Sequence, residues 1–407
     1  MRNHKPLRTR HKILLSILIV FLLLTGVVLF CAPYLPHAIK SSYFRGQNGP
    51  GIYDLNVSAS REIQSANEQV FPRSQAQFQM NDFRSLQSYS QKLGTVAFLI
   101  ARNDEILLED YADGHSADKV SNSFSMAKTV VSLLMGIAVE EGKVRSLDDK
   151  VVQYLPEIKG KHSKEVTIRH LLQMAAGTDW KESSKGPFSD NASAYYGKKL
   201  SKQIYDTKFI DQPGKFYDYQ SGNTQFLAMI LQEVYGKGVA QLTQEKIWKP
   251  MQMSHQAYWS MDEEDGVEKA YCCLYATAAD FLKLGHLYLY RGRYKDQVIV
   301  PEWYMDEMIE SRAPRLKTSK HPNELYGLHV WMYQREDDEL IYFRGILGQY
   351  IIISPKYHWV AVRLGHQRLP NYSAQELKKD NLFMEGQTKD FVEYVKFVDE
   401  IIQLSYK

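Results

Sequence analysis

The hydrophobic pattern places strands at the start and end of the main part of the chain and helices in its middle. Apolar runs at 95–101 and 106–111, separated by Asn103-Asp104, predict two strands joined by a tight turn. The segment 391–404 has apolar residues at helical spacing and predicts an amphipathic helix. Four more strands are predicted before that helix, at 327–333, 340–344, 348–354 and 359–364.

The middle of the chain combines helical patterns with one long polar loop. Residues 178–200 predict that loop, and a long loop in a compact domain is often functional. Helices are predicted at 167–174, 225–235, 239–248, 278–290 and 302–311. We therefore expect an α+β fold in which strands from both ends of the domain form one antiparallel sheet. Helices would flank that sheet, and the middle segment would form a helical lobe beside it.

A further helix is predicted over 121–144 and is the most relevant to function. Gly142 supplies its end, because glycine adopts the left-handed conformation of a helix terminus without strain. One face of this helix is apolar, with Val130, Leu133, Leu134 and Ile137 at the i, i+3, i+4, i+7 spacing. The segment is therefore expected to be buried.

Ser125 and Lys128 lie near the start of this helix, and their spacing puts both side chains on one face. A serine hydroxyl is a weak nucleophile until a base removes its proton, and burial lowers the pKa of a lysine so that it can act as that base. The same spacing occurs at Ser116 and Lys119 in a polar loop, so the pattern alone does not identify a catalytic pair. Our hypothesis is that Ser125 is acylated and that Lys128 activates it.

Such a pair needs a proton shuttle and donors for an oxyanion. Tyr219 could provide the shuttle, although the chain has 27 tyrosines and a core or loop role is the alternative. The glycines in 345–350 predict close approach of a ligand to the backbone, and a bulge is the alternative there.

The first 32 residues predict a membrane anchor. Residues 13–32 are uninterruptedly apolar, and about 20 such residues can span a bilayer as a helix. Residues 1–12 contain five basic and no acidic side chains, which favours a cytoplasmic start and a domain outside the membrane. A cleaved signal peptide is the alternative, although Phe-Cys-Ala-Pro-Tyr is a poor cleavage site.

The chain therefore divides into a basic cytoplasmic segment, a single-pass anchor in the cytoplasmic membrane, a linker and a periplasmic or extracellular domain. These four parts are 1–12, 13–32, 33–75 and 76–407.

Charge and residue composition limit the classes of partner and cofactor that we expect. The 407 residues carry a net charge of +3, and because the first segment accounts for the excess, the domain is nearly neutral and nucleic acid is not an expected partner. The three cysteines and twelve histidines show no metal-ligand spacing, so we expect no metal and no cofactor. Oligomeric state is not indicated.

Several short motifs, in this order, resemble those of the serine β-lactamase-like hydrolases. The similarity is strongest to the class C β-lactamase and esterase group, especially the 6-aminohexanoate-dimer hydrolase type, and extends from about residue 90 to residue 403. The motifs are at 124–129, 141–144, 147–151, 154–156, 167–174, 177–180, 213–214, 216–224 and 348–350.

The resemblance implies that Ser125 is the nucleophile, Lys128 its base and Tyr219 the tyrosine of the second motif. Ser221 would occupy a position often held by asparagine or serine in that motif. Tyr195 and Tyr196 would line the substrate site, as loop tyrosines do in the 6-aminohexanoate type.

The third motif departs from the family. Aligned on Gly348, its triplet is Ile346-Leu347-Gly348, where relatives commonly have Lys-Thr-Gly or His-x-Gly. The backbone N–H of Gln349 would be the second oxyanion donor, and Arg344 could replace the missing cation. The expected function is hydrolysis of an ester or amide in a small-molecule or peptide-like substrate. The alternatives are a cell-wall D-alanyl peptidase or weak β-lactamase, and a non-catalytic binding or sensor domain.

Overall fold

The structure is a computed structural model that describes residues 6–66, 71–183, 186–373, 376 and 386–407. Its helices are α1 Pro6–Cys31, α2 Leu35–Ser41, α3 Arg84–Lys92, α4 Ala127–Glu140, α5 Ile168–Leu172, α6 Asp190–Tyr196, α7 Leu200–Asp206, α8 Ser221–Tyr235, α9 Val239–Thr243, α10 Ala278–Leu289, α11 Glu302–Glu310 and α12 Lys389–Leu404. Its strands are β1 Ser60–Ile63, β2 Arg73–Phe78, β3 Thr95–Arg102, β4 Glu105–Tyr111, β5 Ser121–Asn122, β6 Ala257–Ser260, β7 Leu274–Ala276, β8 Arg293–Tyr294, β9 Gln297–Val298, β10 Trp331–Gln334, β11 Glu339–Gly345, β12 Gln349–Ser354 and β13 Trp359–Gly365.

Strands from both ends of the domain form one sheet, as the pattern predicted. Its order is β10-β11-β12-β13-β3-β4-β2, and β13 pairs antiparallel with β3, which brings Val362 opposite Leu99. The edge strand β2 departs from the prediction because it runs parallel to β4. The long apolar strands are buried on both faces, since helices cover the sheet on each side.

Helices α10 and α12 cover opposite faces of this sheet. The glycine Gly285 lets α10 approach closely, because a Cβ atom there would lie 2.5 Å from Val360 and 2.7 Å from Ile351. On the other face, Phe391 of α12 stacks on Tyr342 with ring centroids 4.2 Å apart. The remaining central helices form the lobe, in which α4 and α8 are in contact.

The predicted helix over 121–144 begins later than expected. Ser121 and Asn122 form β5 and pair with β7 in a smaller sheet of order β1-β6-β7-β5. A 3₁₀ turn at Phe124–Met126 follows, and α4 starts only at Ala127. The prediction missed the strand because two residues paired with a distant strand leave no periodic signal.

The expected linker over 33–75 is instead folded onto the domain. It contains α2, β1 and β2, and β1 pairs antiparallel with β6. Asp54 is buried and accepts hydrogen bonds from Arg45, Gly51 and the hydroxyl of Tyr195. The pairing of β1 with β6 and the bond from Tyr195 to Asp54 join residues far apart in the chain, which local composition could not reveal.

Helix α1 is long and apolar enough to cross a membrane, over His11–Cys31. Its apolar window is 0% buried against the rest of the chain, so it does not belong to the core. An uncleaved anchor and a signal sequence both have this character.

Candidate active site

Ser125 lies on the turn between β5 and α4, and its neighbours fix that turn. Phe124 has a φ of 45°, a left-handed conformation that is uncommon for a bulky residue. The side chain of Asn122 accepts a hydrogen bond from the backbone N–H of Phe124 at 2.8 Å, and Ser123 N–H donates to the carbonyl oxygen of Leu274 at 2.8 Å. Hydrogen bonds of the neighbouring residues thus stabilise the strained backbone of Phe124. Strained backbone conformations of this kind are common at reactive positions.

Lys128 lies beside Ser125, with its Nζ atom donating to Ser125 Oγ at 3.0 Å. The same nitrogen donates to the carbonyl oxygen of Tyr271 at 2.6 Å, which aims the amine at the serine. The side chain is fully buried, and this burial lowers the pKa of Lys128 to about 8, while the charge of Glu182 acts in the opposite direction. A substantial fraction of the amine is therefore neutral at mildly alkaline pH.

The second Ser-x-x-Lys pattern does not form a pair. Lys119 donates to the carbonyl oxygen of Gly114 and lies 4.1 Å from the ring centroid of Tyr53. The hydroxyl of Ser116 donates to Asp118. The structure thus distinguishes the two patterns, which their spacing alone could not do.

Tyr219 faces the same pair from the start of α8. Its hydroxyl hydrogen-bonds with Ser125, and the Nζ atom of Lys128 lies 5.1 Å from its ring centroid. The ring packs against Trp331 and Tyr326, with centroids 5.6 Å and 5.8 Å away. Burial and the charge of Glu182 raise the pKa of Tyr219. The hydrogen bond with Ser125 lowers this pKa by a smaller amount, so the net pKa is raised and the phenol keeps its proton.

Glu182 is a site residue that the sequence interpretation missed. Its carboxylate accepts hydrogen bonds from the backbone N–H of Ser221 at 2.7 Å, Ser221 Oγ at 2.9 Å, Trp180 Nε1 at 2.9 Å and Asn191 Nδ2 at 3.0 Å. These bonds tie the loop after Trp180 to the N-terminus of α8, where the helix dipole favours a negative charge. The only signal in the sequence was an acidic residue two positions after Trp180, within a loop already expected to be functional.

Ser125 and Glu182 line a cavity of about 100 Å³, whereas Lys128 and Tyr219 contact Ser125 without lining it. Ser221, Tyr195 and Tyr196 also line it, so the structure brings these predicted residues to the nucleophile. Other lining residues that the sequence did not single out are Pro50, Phe124, Glu182, Ser183, Gly186, Asn191, Ala192, Tyr271 and Cys272. Cys272 is joined to its neighbour Cys273 by a disulfide, which closes no larger chain loop.

The third motif meets the cavity through Ile346, which is one of its lining residues. Gly348 and Gln349, the predicted oxyanion segment, do not line the cavity. Gln349 is fully buried, and its side chain exchanges hydrogen bonds with Gly365. The guanidinium of Arg363 donates to the carbonyl oxygens of Leu347 and Gly348 at 2.8 Å each and holds them away from the site.

Arg344 also lies away from the cavity, contrary to the expectation that it could replace the missing cation. Its Nη1 atom donates to the carbonyl oxygen of Gly386 at 2.8 Å, and its guanidinium carbon lies 3.6 Å from the ring centroid of Trp331. Arg344 therefore supports the aromatic layer behind Tyr219 and does not reach Ser125.

Comparisons with known proteins point to one family. The model of the family described as "Beta-lactamase" matches residues 69–382, more than half of the chain. The 6-aminohexanoate-dimer hydrolase of Paenarthrobacter ureafaciens is 24% identical over 285 residues, which cover 66% of this chain and 72% of that protein. The teichoic acid D-alanine hydrolase of Staphylococcus aureus (strain NCTC 8325 / PS 47) is 26% identical over 222 residues, 51% of this chain and 53% of that protein.

A solved structure has the same fold. It is described as "Putative 6-aminohexanoate-dimer hydrolase from Bacillus anthracis" and superposes with a TM-score of 0.71 at 20% identity. The superposition covers 86% of this chain and 92% of that one.

Proposed function

The chain belongs to the beta-lactamase family, and we propose that it is a membrane-anchored serine hydrolase that cleaves an ester or amide through an acyl-enzyme at Ser125. Membership of this family makes it a hydrolase of the serine type. The anchor, the covalent intermediate and the roles of individual residues are the proposal.

The contact between Lys128 and Ser125 is the main support for this proposal. A buried Lys128 donates to Ser125 Oγ at 3.0 Å, and burial lowers the pKa of this lysine to about 8. A nucleophile within hydrogen-bond reach of a base, which is itself oriented by a third group, is the arrangement that nucleophilic catalysis requires. The carbonyl oxygen of Tyr271 is that orienting group here.

Acylation begins with neutral Lys128. Its amine takes the proton from Ser125 as Oγ attacks the carbonyl carbon of the substrate, and the π electrons of that carbonyl move onto its oxygen. The backbone N–H of Ser125 is one donor for this oxyanion, close to the N-terminal end of α4. The second donor is a backbone N–H of the third motif. The sequence analysis predicted that of Gln349, and Ile346 of the same motif lines the cavity.

The leaving group needs a proton when the tetrahedral intermediate collapses. Tyr219 keeps its phenolic proton and lies beside both Ser125 and Lys128, so it can pass a proton to the departing oxygen or nitrogen. The proton taken by Lys128 then replaces the one that Tyr219 gave. Deacylation is the same sequence with water as the nucleophile and Ser125 as the leaving group.

The lining of the cavity bears on the kind of substrate. Ile346 stands where the resemblance implies a lysine or a histidine, and Glu182 also lines the cavity. A carboxylate on the substrate would find an apolar side chain and a negative charge. This disfavours the cell-wall peptidase and β-lactamase alternatives and favours an ester or amide without a carboxylate beside the reacting carbonyl.

The experiment that tests this function is labelling with two probes side by side. Wild type and Ser125→Ala are treated with a fluorophosphonate and with a fluorescent penicillin, and Ser116→Ala serves as the matched control. We expect the fluorophosphonate to label wild type and Ser116→Ala, and not Ser125→Ala. Labelling by the penicillin would revive the cell-wall alternative, and labelling by neither probe would favour a non-catalytic binding domain.

The anchor is tested separately. The intact mass of the chain recovered from a membrane fraction should include residues 1–32. A mature chain that starts after Ala32 would contradict the anchor and leave the hydrolase proposal intact.

A further inference from the structure

Large exposed apolar side chains occur on two segments of the domain that are in contact with each other. Outside α1, nine large hydrophobic side chains are exposed in the described part of the chain, and four of them belong to two neighbouring segments. Ile39, Tyr43, Phe44 and Phe188 are 43%, 63%, 80% and 63% exposed, and we call these four residues the rim patch. Exposed apolar side chains that occur together mark a surface used for contact.

Specific contacts hold the two segments of the rim patch together. The hydroxyl of Tyr34 donates to the carbonyl oxygen of Pro187 at 2.8 Å, which joins the start of α2 to the residue before Phe188. The ring of His37 lies 6.3 Å from the ring of Tyr196, so α2 also meets α6. The rim patch is therefore a surface of the folded domain.

The rim patch lies close to the end of the candidate membrane span. Residues 32–34 separate α1 from α2, and three residues extend at most about 10 Å. Helix α2 has 7 residues, so it is about 10 Å long. The polar region on each side of a bilayer is about 5–8 Å thick. A span that ends at Cys31 therefore keeps the start of α2 within about 10 Å of the edge of the hydrocarbon core, next to the headgroup region.

The side chains of the rim patch and its surroundings suit a position at the lipid headgroups. Tyrosine and phenylalanine rings are stable at the boundary between acyl chains and headgroups. The exposed side chains of Lys40, Lys198 and Lys199 belong to the same region. Burial lowers the pKa of nearby His37, and the charges of Lys269, Lys40 and Lys198 lower it further. Basic groups beside apolar ones are attracted to anionic lipid headgroups.

We propose that the rim patch rests on the outer surface of the membrane that holds α1, so that the cavity receives its substrate from that surface. Residues near these segments line the cavity: Gly186 lies two positions before Phe188, Pro50 lies six positions after Phe44, and Tyr196 of α6 packs against His37 of α2. The substrate is then an ester or amide of a lipid-linked molecule, presented beside the bilayer. This inference rests on the proposed anchor and hydrolase activity.

Depth measurement in vesicles tests the contact independently of catalysis. The full chain, with Cys31→Ser, receives an environment-sensitive fluorophore at Phe188→Cys. The matched control is Val298→Cys on the β8–β9 hairpin, because Val298 is 59% exposed and Phe188 63%. Both proteins are reconstituted in phosphatidylglycerol and phosphatidylethanolamine vesicles, with and without a lipid-bound quencher.

We expect the label at position 188 to be blue-shifted and quenched by the lipid quencher, and the label at position 298 to be unaffected. Equal and weak quenching at both positions, in a chain that co-floats with the vesicles, would overturn the rim contact while leaving the anchor in place. A chain that does not co-float would overturn both.

A second experiment tests the membrane contact by measuring ester hydrolysis. The double variant Phe44→Ser, Phe188→Ser should hydrolyse a water-soluble ester like wild type and should lose activity on the same ester linked to a diacylglycerol in vesicles. An equal effect on both esters would contradict the inference. Retained fluorophosphonate labelling of Ser125 distinguishes either result from failure of the hydrolase proposal.

Discussion

The Nζ atom of Lys128 lies 3.0 Å from Ser125 Oγ in a buried environment that lowers the pKa of the lysine to about 8. A base must be neutral to accept a proton, so kcat/KM should rise as the pH increases through about 8 and then level off. The rate of inactivation by a fluorophosphonate should follow the same curve, because it reports the same deprotonation. A rate that is flat between pH 6 and pH 9, which are about two units below and one unit above that pKa, would contradict Lys128 as the base.

Glu182 should tune that pH profile. Its charge raises the pKa of Lys128, so Glu182→Gln should lower the pKa and move the rising limb to lower pH, by less than about one unit for a partly solvated carboxylate. Asp118→Asn is the control, since Asp118 is exposed and bonds to Ser116 in the second Ser-x-x-Lys loop. A shift to higher pH would contradict the assigned electrostatic effect.

Tyr219 should matter for turnover through its hydroxyl alone. Tyr219→Phe keeps the ring against Trp331 and removes the proton shuttle, so kcat should fall by about 10²- to 10⁴-fold, the usual contribution of general acid–base catalysis. Tyr217→Phe is a matched control, because the buried hydroxyl of Tyr217 has no hydrogen-bond partner among the described residues. Thermal unfolding of both variants should resemble that of wild type. Equal losses of activity in both would indicate a packing effect.

The third motif should control which carbonyl compounds react. Ile346→Lys puts a cation at the cavity wall, at the position where the resemblance leads us to expect the first residue of a Lys-Thr-Gly or His-x-Gly triplet, and should increase labelling by a fluorescent penicillin. Ile346→Met is the control, because it changes shape with little change in volume and adds no charge. Unchanged penicillin labelling in Ile346→Lys, with fluorophosphonate labelling retained, would show that Ile346 does not determine the substrate class.

The elements with strong periodic patterns were predictable from sequence. The apolar spacing of Val130, Leu133 and Ile137 predicted the buried face of α4, and the terminal strands paired as expected. Ser125 and Lys128 were found because their spacing falls at the start of a predicted buried helix, a setting that Ser116 and Lys119 lack.

Residues that act through distant contacts were predictable only where an ordered family motif contains them, as for Tyr219 and Ser221. The left-handed φ of Phe124 depends on the side chain of Asn122 and on pairing with β7, 153 residues away at Tyr275. Asp54 contacts Tyr195 across 141 residues, so 33–75 looked like a linker. Glu182 belongs to none of the motifs found in the sequence, and its role depends on its contact with Ser221 at the start of α8.

The most direct test of the central claim is mass spectrometry of the chain quenched during turnover of an activated ester. We predict one acyl group on the proteolytic peptide that contains Ser125 and none on that peptide from Ser125→Ala. Hydrolysis that continues in Ser125→Ala at the wild-type rate, or an acyl group carried on another residue, would contradict an acyl-enzyme at Ser125.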